Sequence, residues 1–284
     1  ERSASTANTK SGGSVLGEVD SRDASGNVKG LREWGLKPEN LYYGIYLNGA
    51  KMGWMNTRMK GQADKLKVST QMEAKLSGMG TVSKLELAEE RFYRFRDGVM
   101  ESVNFTQSAS TGKVRIEGKV DGTKLKVVTM AGGVLSEQVF AAKENLADIL
   151  KIRELVKSPK VGNSVSSVRF DPSAAKTLKL EHKIEKIERR LFGGVEVKAI
   201  YLSTTYPDLG MEENSWYDAS GTLLETKVGG FFVARLEAPD VAKRLDYEQD
   251  LLISAVVKSP EPIGNPAEIS ELAITFEGLS DFKL

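Results

Sequence analysis

The sequence predicts a mainly β protein: a large, strongly curved antiparallel sheet, a half-barrel or open barrel, with one principal α-helix packed on it. Three observations carry this. Apolar and polar residues alternate with a period of two along most of the chain beyond Leu41. Asn48-Gly49, Asp97-Gly98 and Asp121-Gly122 place three tight-turn signals within about eighty residues, each between alternating runs. Only one segment switches clearly to helical spacing.

The first hairpin is "YYGIYLNGAKMGWMNTRM". Its Asn-Gly loop suits a two-residue turn with positive φ at both positions. Counting outward from that loop, Leu47 faces Ala50, Ile45 faces Met52 and Tyr43 faces Trp54 on one side. On the other, Tyr46 meets Lys51, Gly44 meets Gly53 and Tyr42 meets Met55. Paired glycines would leave a bare spot where another element, a ring or a ligand could approach closely. Tyr42, Gly44, Tyr46, Gly53 and Met55 therefore form the candidate ligand or partner face, although packing by a neighbouring element explains the same bareness.

Alternation continues in "LKVSTQMEAKL", which puts Leu66, Val68, Thr70, Met72, Ala74 and Leu76 on one side. "RFYRFRDGVMESVNF" turns at Asp97-Gly98. "VRIEGKVDGTKLKVVT" turns at Asp121-Gly122, which sets Ile116 opposite Val127 and Glu117 opposite Lys126. "AAKENLADILKIRELVKSP" then brings Leu146, Ile149, Leu150, Ile152, Leu155 and Val156 to one helical face. A helix is predicted over about 141–157, stopped before Pro159. Strands resume with "SVSSVRFD", "KTLKLEHKIEKIERR", "VEVKAIYLSTTY", "NSWYDASGTLLETKV" and "FFVARLEA". The second of these alternates at Leu178, Leu180, His182 and Ile184, then slips phase, which predicts a strand with a bulge.

Three domain segments follow. Residues 1–37 read as a flexible Ser/Gly/Thr-rich leader with too few large apolar side chains to offset the entropy of ordering. Residues 38–258 form the β domain. Residues 259–284 are a proline-punctuated linker and a final strand, leading toward a C-terminal domain that is missing or absent.

Composition narrows the function classes. Forty Lys+Arg against 39 Asp+Glu leave a net charge of +1, without the basic excess of a nucleic-acid binder. Absence of cysteine removes thiol nucleophiles, disulfides and thiolate metal sites. "LLISAVV" (251–257) is far short of the ~20 apolar residues that cross a bilayer, so tethering, if any, runs through the N-terminus. His182 is the single histidine, and it sits mid-strand in an apolar row, where a structural or solvent-facing role fits better than catalysis. "GNSVS" at 162–166 lacks the last glycine of a nucleophile elbow. Glu89-Glu90 and Glu212-Glu213 could serve glycoside hydrolysis, but adjacent carboxylates more often mark a solvated face. No catalytic residue, metal site or cofactor is predicted.

Taken in order, "YYGIYLNGAKMGWMNTRM", "GKVRIEGKVDGTKLKVVT", "VGNSVSSVRFDP", "SWYDASGTLLETKVGG" and "LLISAVVKSPEPIGNP" resemble the non-catalytic region preceding the catalytic domain in bacterial secreted transglutaminase-like proteins. The Trp-x-Asp-x-x-Gly element at 216–221 is also similar to curved half-barrels of the bacterial envelope, lipoprotein carriers among them. The first resemblance implies an exported accessory module that partners a transglutaminase-like catalytic domain in cis or in trans. That family's Cys-His-Asp set has no counterpart in this chain. The alternative is a periplasmic carrier holding an apolar ligand or lipid in the concave face, drawing on the aromatic and Met content of 42–59 with Met72, Met79, Phe231 and Phe232 nearby.

Overall fold

The computed structural model describes residues 28–78, 81–230 and 232–244. After α1 (Val28–Glu33), eight strands run up and down in succession: β1 (Glu39–Leu47), β2 (Ala50–Gln62), β3 (Lys65–Gly78), β4 (Thr81–Arg94), β5 (Met100–Ala109), β6 (Gly112–Asp121), β7 (Lys124–Ala131) and β8 (Val134–Ala141). The helix α2 (Leu146–Lys157) follows. Six more strands complete the sheet: β9 (Ser164–Asp171), β10 (Lys176–Phe192), β11 (Val195–Tyr206), β12 (Met211–Asp218), β13 (Leu223–Val228) and β14 (Phe232–Glu237), with α3 (Pro239–Ala242) after them.

All 14 strands belong to one antiparallel sheet, ordered β8 to β1, then β14 to β9. The pairing of β1 with β14 joins the two runs, so β8 and β9 become the two edges although they are neighbours in sequence. Among the described residues no hydrogen-bonded ladder links these edges, yet the sheet curls until they approach. The Phe140 ring on β8 and the Phe170 ring on β9 have centroids 5.2 Å apart. The predicted open barrel with a principal helix is what forms.

α2 connects the two edges and lies in the concavity. Ile149 and Leu150 pack on the cluster of Leu66, Tyr93, Met100, Val103 and Phe105. Ile152, Leu155 and Val156 pack on Ile184, Ile200 and Leu202 of β10 and β11. Arg153 forms a two-pronged ion pair with Glu39 at the start of β1, at 2.9 and 2.7 Å. The helix begins at Leu146 rather than near 141. Ala142 still donates to Thr123 in strand-like fashion, Asn145 bridges to Val99, and the Asn145 side chain caps Ala147 N–H at 2.8 Å. It ends at Lys157, just short of Pro159.

Within the stretch that composition assigned to the leader, residues 28–37 carry α1 and bury Leu31 and Leu36. The expected leader before residue 28, the linker and final strand of 259–284, Leu251–Val257, Met79 and Phe231 lie outside the described residues.

Two expected registers are corrected. Asn48 and Gly49 have the expected positive φ, 49° and 83°. A bulge between Ile45 and Tyr46 then admits Met52 as an extra residue, so Ile45 faces Gly53, Gly44 faces Trp54 and Tyr43 faces Met55. In β6–β7 the turn residues are Gly122 and Thr123 rather than Asp121 and Gly122. Every partner moves by two, so Glu117 faces Val128, Ile116 faces Thr129 and Lys126 reaches Asp121 at 2.7 Å. A shift of two keeps each side chain on its expected face. The bulge expected in "KTLKLEHKIEKIERR" is present between Ile184 and Lys186.

Candidate functional site

The bulge in the first hairpin splits the candidate face. Tyr42, Gly44 and Tyr46 share the outer face with Trp54, whereas Gly53 and Met55 point inward with Ile45 and Tyr43. The chain itself covers the outer group. Glu237, at the end of β14, lies where a Cβ on Gly44 would be, 2.6 Å away, and its carboxylate accepts from Tyr46 and from Lys51. Lys51 also donates to the Val241 carbonyl of α3, and the Lys243 ammonium sits 5.1 Å from the Tyr42 ring and 5.5 Å from Trp54. Gly53 meets a different neighbour, since a Cβ there would lie 2.2 Å from the Glu73 carbonyl oxygen of β3. The bare spot is therefore two separate close approaches within the protein.

The interior holds a different feature: a cavity of about 280 Å³ between α2 and the walls of the curled sheet. Alternation builds its lining. On β4, Glu89, Arg91 and Tyr93 project inward; on β10 and β11, His182, Thr204 and Tyr206 do; on β12, Glu213 and Tyr217 do. The lining is mixed: Val68, Ile149, Ile152, Val168 and Leu180 supply apolar surface, and hydroxyl, carboxylate, guanidinium and imidazole groups stand among them.

These groups hold one another in fixed orientations. Arg91 is 2% exposed and donates to Glu89, Glu144 and the Phe170 carbonyl at 2.7, 2.7 and 2.8 Å. Glu144 also accepts from the Tyr93 hydroxyl at 2.5 Å and from Phe170 N–H at 2.8 Å, linking β4, the start of α2 and β9. Arg169 extends the chain to Glu89 at 3.1 Å. Burial pushes the Glu89 carboxyl up, but Arg169 and Arg91 outweigh it and hold the group below the usual carboxylate range.

On the opposite wall His182 is 4% exposed, with Ser167 at 2.8 Å from Nε2 and Thr204 at 2.9 Å from Nδ1. Burial lowers its pKa below 6.5, against the raising influence of Glu213 and Asp148. A Ser–His contact invites comparison with nucleophilic catalysis. Here, however, a threonine stands where a hydrolytic triad places the carboxylate that stabilises imidazolium. Nearby, Glu213 accepts from Tyr206 at 2.8 Å and from Ser215 and Thr226 at 2.9 Å each. Desolvation and Glu213 both raise the Tyr206 phenol well above its ordinary value, and desolvation does the same for Tyr217.

The chemistry-bearing residues of this cavity were only partly visible in the sequence. His182 stood out as the single histidine. Glu89 and Glu213 were assigned to solvated pairs, and that assignment fails for one member of each. Adjacent residues in a strand point to opposite faces, so Glu90 and Glu212 face outward while Glu89 and Glu213 face in. Among the described residues no group of His, Asp and Glu is arranged to hold a metal ion, and no helix is long and apolar enough to cross a membrane.

No protein-family model matches the chain, and no curated protein does. Among solved structures it is similar to a β-barrel-like protein of domain of unknown function DUF1849 from Brucella abortus. The TM-score is 0.53 at 12% sequence identity, over 71% of this chain and 96% of that one. At that identity the likeness is one of fold: a β-barrel-like architecture.

Proposed function

We propose that the protein is a non-enzymatic binding module whose ligand occupies the interior cavity between α2 and the curled sheet. The single observation that carries this is the cavity's lining, where polar side chains from both walls and the helix converge, oriented by one another before any ligand arrives. Such preorganisation lowers the entropy lost on binding. The ligand is small and polar. A cavity of about 280 Å³ lies at the lower end of small-molecule sites, and a lipid tail would displace water from its charged groups without offering a hydrogen bond in return. This favours a polar occupant over the apolar ligand or lipid expected of an envelope carrier. Export to the cell envelope, and service to a transglutaminase-like domain, rest on the sequence resemblance alone, and the fold adds nothing to either.

The test is a thermal-shift survey of small polar metabolites alongside fatty acids and phospholipid micelles, on the protein and on Thr70→Phe; Thr70 lines the cavity from β3, so the substitution puts a ring into it. A stabilising polar compound raises the melting temperature of the first and not the second. Stabilisation by lipids alone, or an equal response of both proteins, overturns the reading.

A further inference from the structure

We propose that the cavity takes a ligand bearing a compact organic cation, a primary ammonium or a guanidinium, and that Glu213 is its counter-ion. The inference rests on the reading of the cavity as the ligand site and adds the charge of the ligand.

The argument is a charge count around the lining. Glu89, Arg91, Glu144 and Arg169 form one chain of contacts at 2.7, 2.7 and 3.1 Å, two anions against two cations. Asp148 is bridged by Lys151 at 2.7 Å. Burial keeps His182 neutral near pH 7, and both its ring nitrogens are engaged. Glu213 remains. Among the described residues no lysine or arginine pairs with it, and all three of its hydrogen-bond donors are neutral hydroxyls. Hydroxyl donors aim a carboxylate but bring no positive charge to balance it. A carboxylate offers roughly four lone-pair sites, so three hydroxyls leave about one open.

The surroundings favour a cation over water alone. A single negative charge inside a protein acts through a lower effective dielectric than in solvent, so its attraction for an entering cation is strengthened. Tyr206 and Tyr217 stand beside it, and phenol rings add attraction for ammonium or guanidinium groups. An anionic ligand would meet the reverse: the two arginines are already matched by carboxylates, and Glu213 would repel it.

The experiment measures binding of four probes of similar size by calorimetry: n-butylammonium, n-butylguanidinium, 1-butanol and butyrate. The protein, Glu213→Gln, Glu212→Gln and Thr70→Phe are compared. At least one cation should bind ten-fold or more tightly than butanol and butyrate. Glu213→Gln should erase that preference, and Glu212→Gln, which removes the outward-facing neighbour, should retain it. Equal affinity for cations and butanol in the unmodified protein overturns the proposal, as does a cation preference that survives Glu213→Gln. The ranking in the unmodified protein decides even if Glu213→Gln fails to fold. Binding of butanol or butyrate that Thr70→Phe abolishes, without a cation advantage, removes the counter-ion role and leaves the cavity as a ligand site. Binding of no probe, or binding indifferent to Thr70→Phe, removes both.

Discussion

Arg91 on β4 and Glu144 just ahead of α2, 53 positions apart in sequence, meet at 2.7 Å with both side chains almost wholly shielded from water. Their contact ties the start of the helix to the sheet wall, and through Phe170 to the edge strand β9. Removing one partner leaves the other buried and uncompensated, which costs about 3–5 kcal/mol. Arg91→Met and Glu144→Gln should each destabilise by that order in denaturant unfolding. The double variant should cost clearly less than the sum of the singles. Simple additivity would show that the pair is not coupled.

His182 gives a pH prediction that can be read directly. Its folded pKa is depressed, so the unfolded chain takes up the proton first as pH falls. Stability is fully present above about pH 6.5 and declines as pH drops from there through the folded value. With one histidine in the chain, its imidazole signal in a proton NMR titration is free of overlap, and the midpoint should fall below 6.5. His182→Asn should flatten the decline in that window.

Glu89 governs the acid limb. Its carboxyl is held below the ordinary value of 4.5 despite burial, because Arg169 and Arg91 favour the charged form. The stability it contributes is present above that value and is lost as pH falls through the lower folded pKa. Glu89→Gln should therefore be less stable than the parent near neutrality, and the gap should narrow toward pH 3 in acid-unfolding curves.

The two hairpin glycines should respond unequally. A Cβ on Gly53 would strike the β3 backbone, the Glu73 oxygen at 2.2 Å and the Ala74 Cα at 2.8 Å, where only a strand shift gives relief. A Cβ on Gly44 would strike the Glu237 carboxylate, which can swing away at the expense of its bonds to Tyr46 and Lys51. Gly53→Ala should cost roughly 1–3 kcal/mol by overpacking, and Gly44→Ala less. Melting temperatures in the opposite order would refute the bulged register.

Asn145 both caps α2 and donates to the Asp97 carbonyl at 3.1 Å. Asn145→Ala should lower stability by about 0.5–2 kcal/mol, and Asn145→Asp, which keeps the cap acceptor, by less.

Much of the fold was legible because strand alternation and turn dipeptides are local signals. Asn48-Gly49 announced its turn, and the phase slip after Ile184 announced its bulge. The bulge at Met52 gave no such sign, because Met52 and Gly53 are both buried and leave no slip of alternation to read beside the turn. The start of α2 was misplaced because apolar spacing marks the buried face of a helix. It does not mark Asn145, whose cap is fixed by one side-chain bond. The cavity was least legible. Glu89, Arg91 and Glu213 are ordinary surface residue types, and only the curling of the sheet turns their face into an interior.

The order of the strands has a further consequence. Among the described residues, every hydrogen-bonded strand pair except β1–β14 joins consecutive strands, and the β8–α2–β9 passage is the covalent link between the two runs. A chain nicked in the turn at 159–163 would thus consist of two self-contained meanders, 28–158 and 164–244, each with its own local pairings. Separately purified, they should recombine along β1 and β14 when mixed, with α2 bringing its second apolar face to β10 and β11. The cavity would then report complementation, because β4 furnishes one wall and β9 to β12 the other. Neither piece alone could bind what the pair binds.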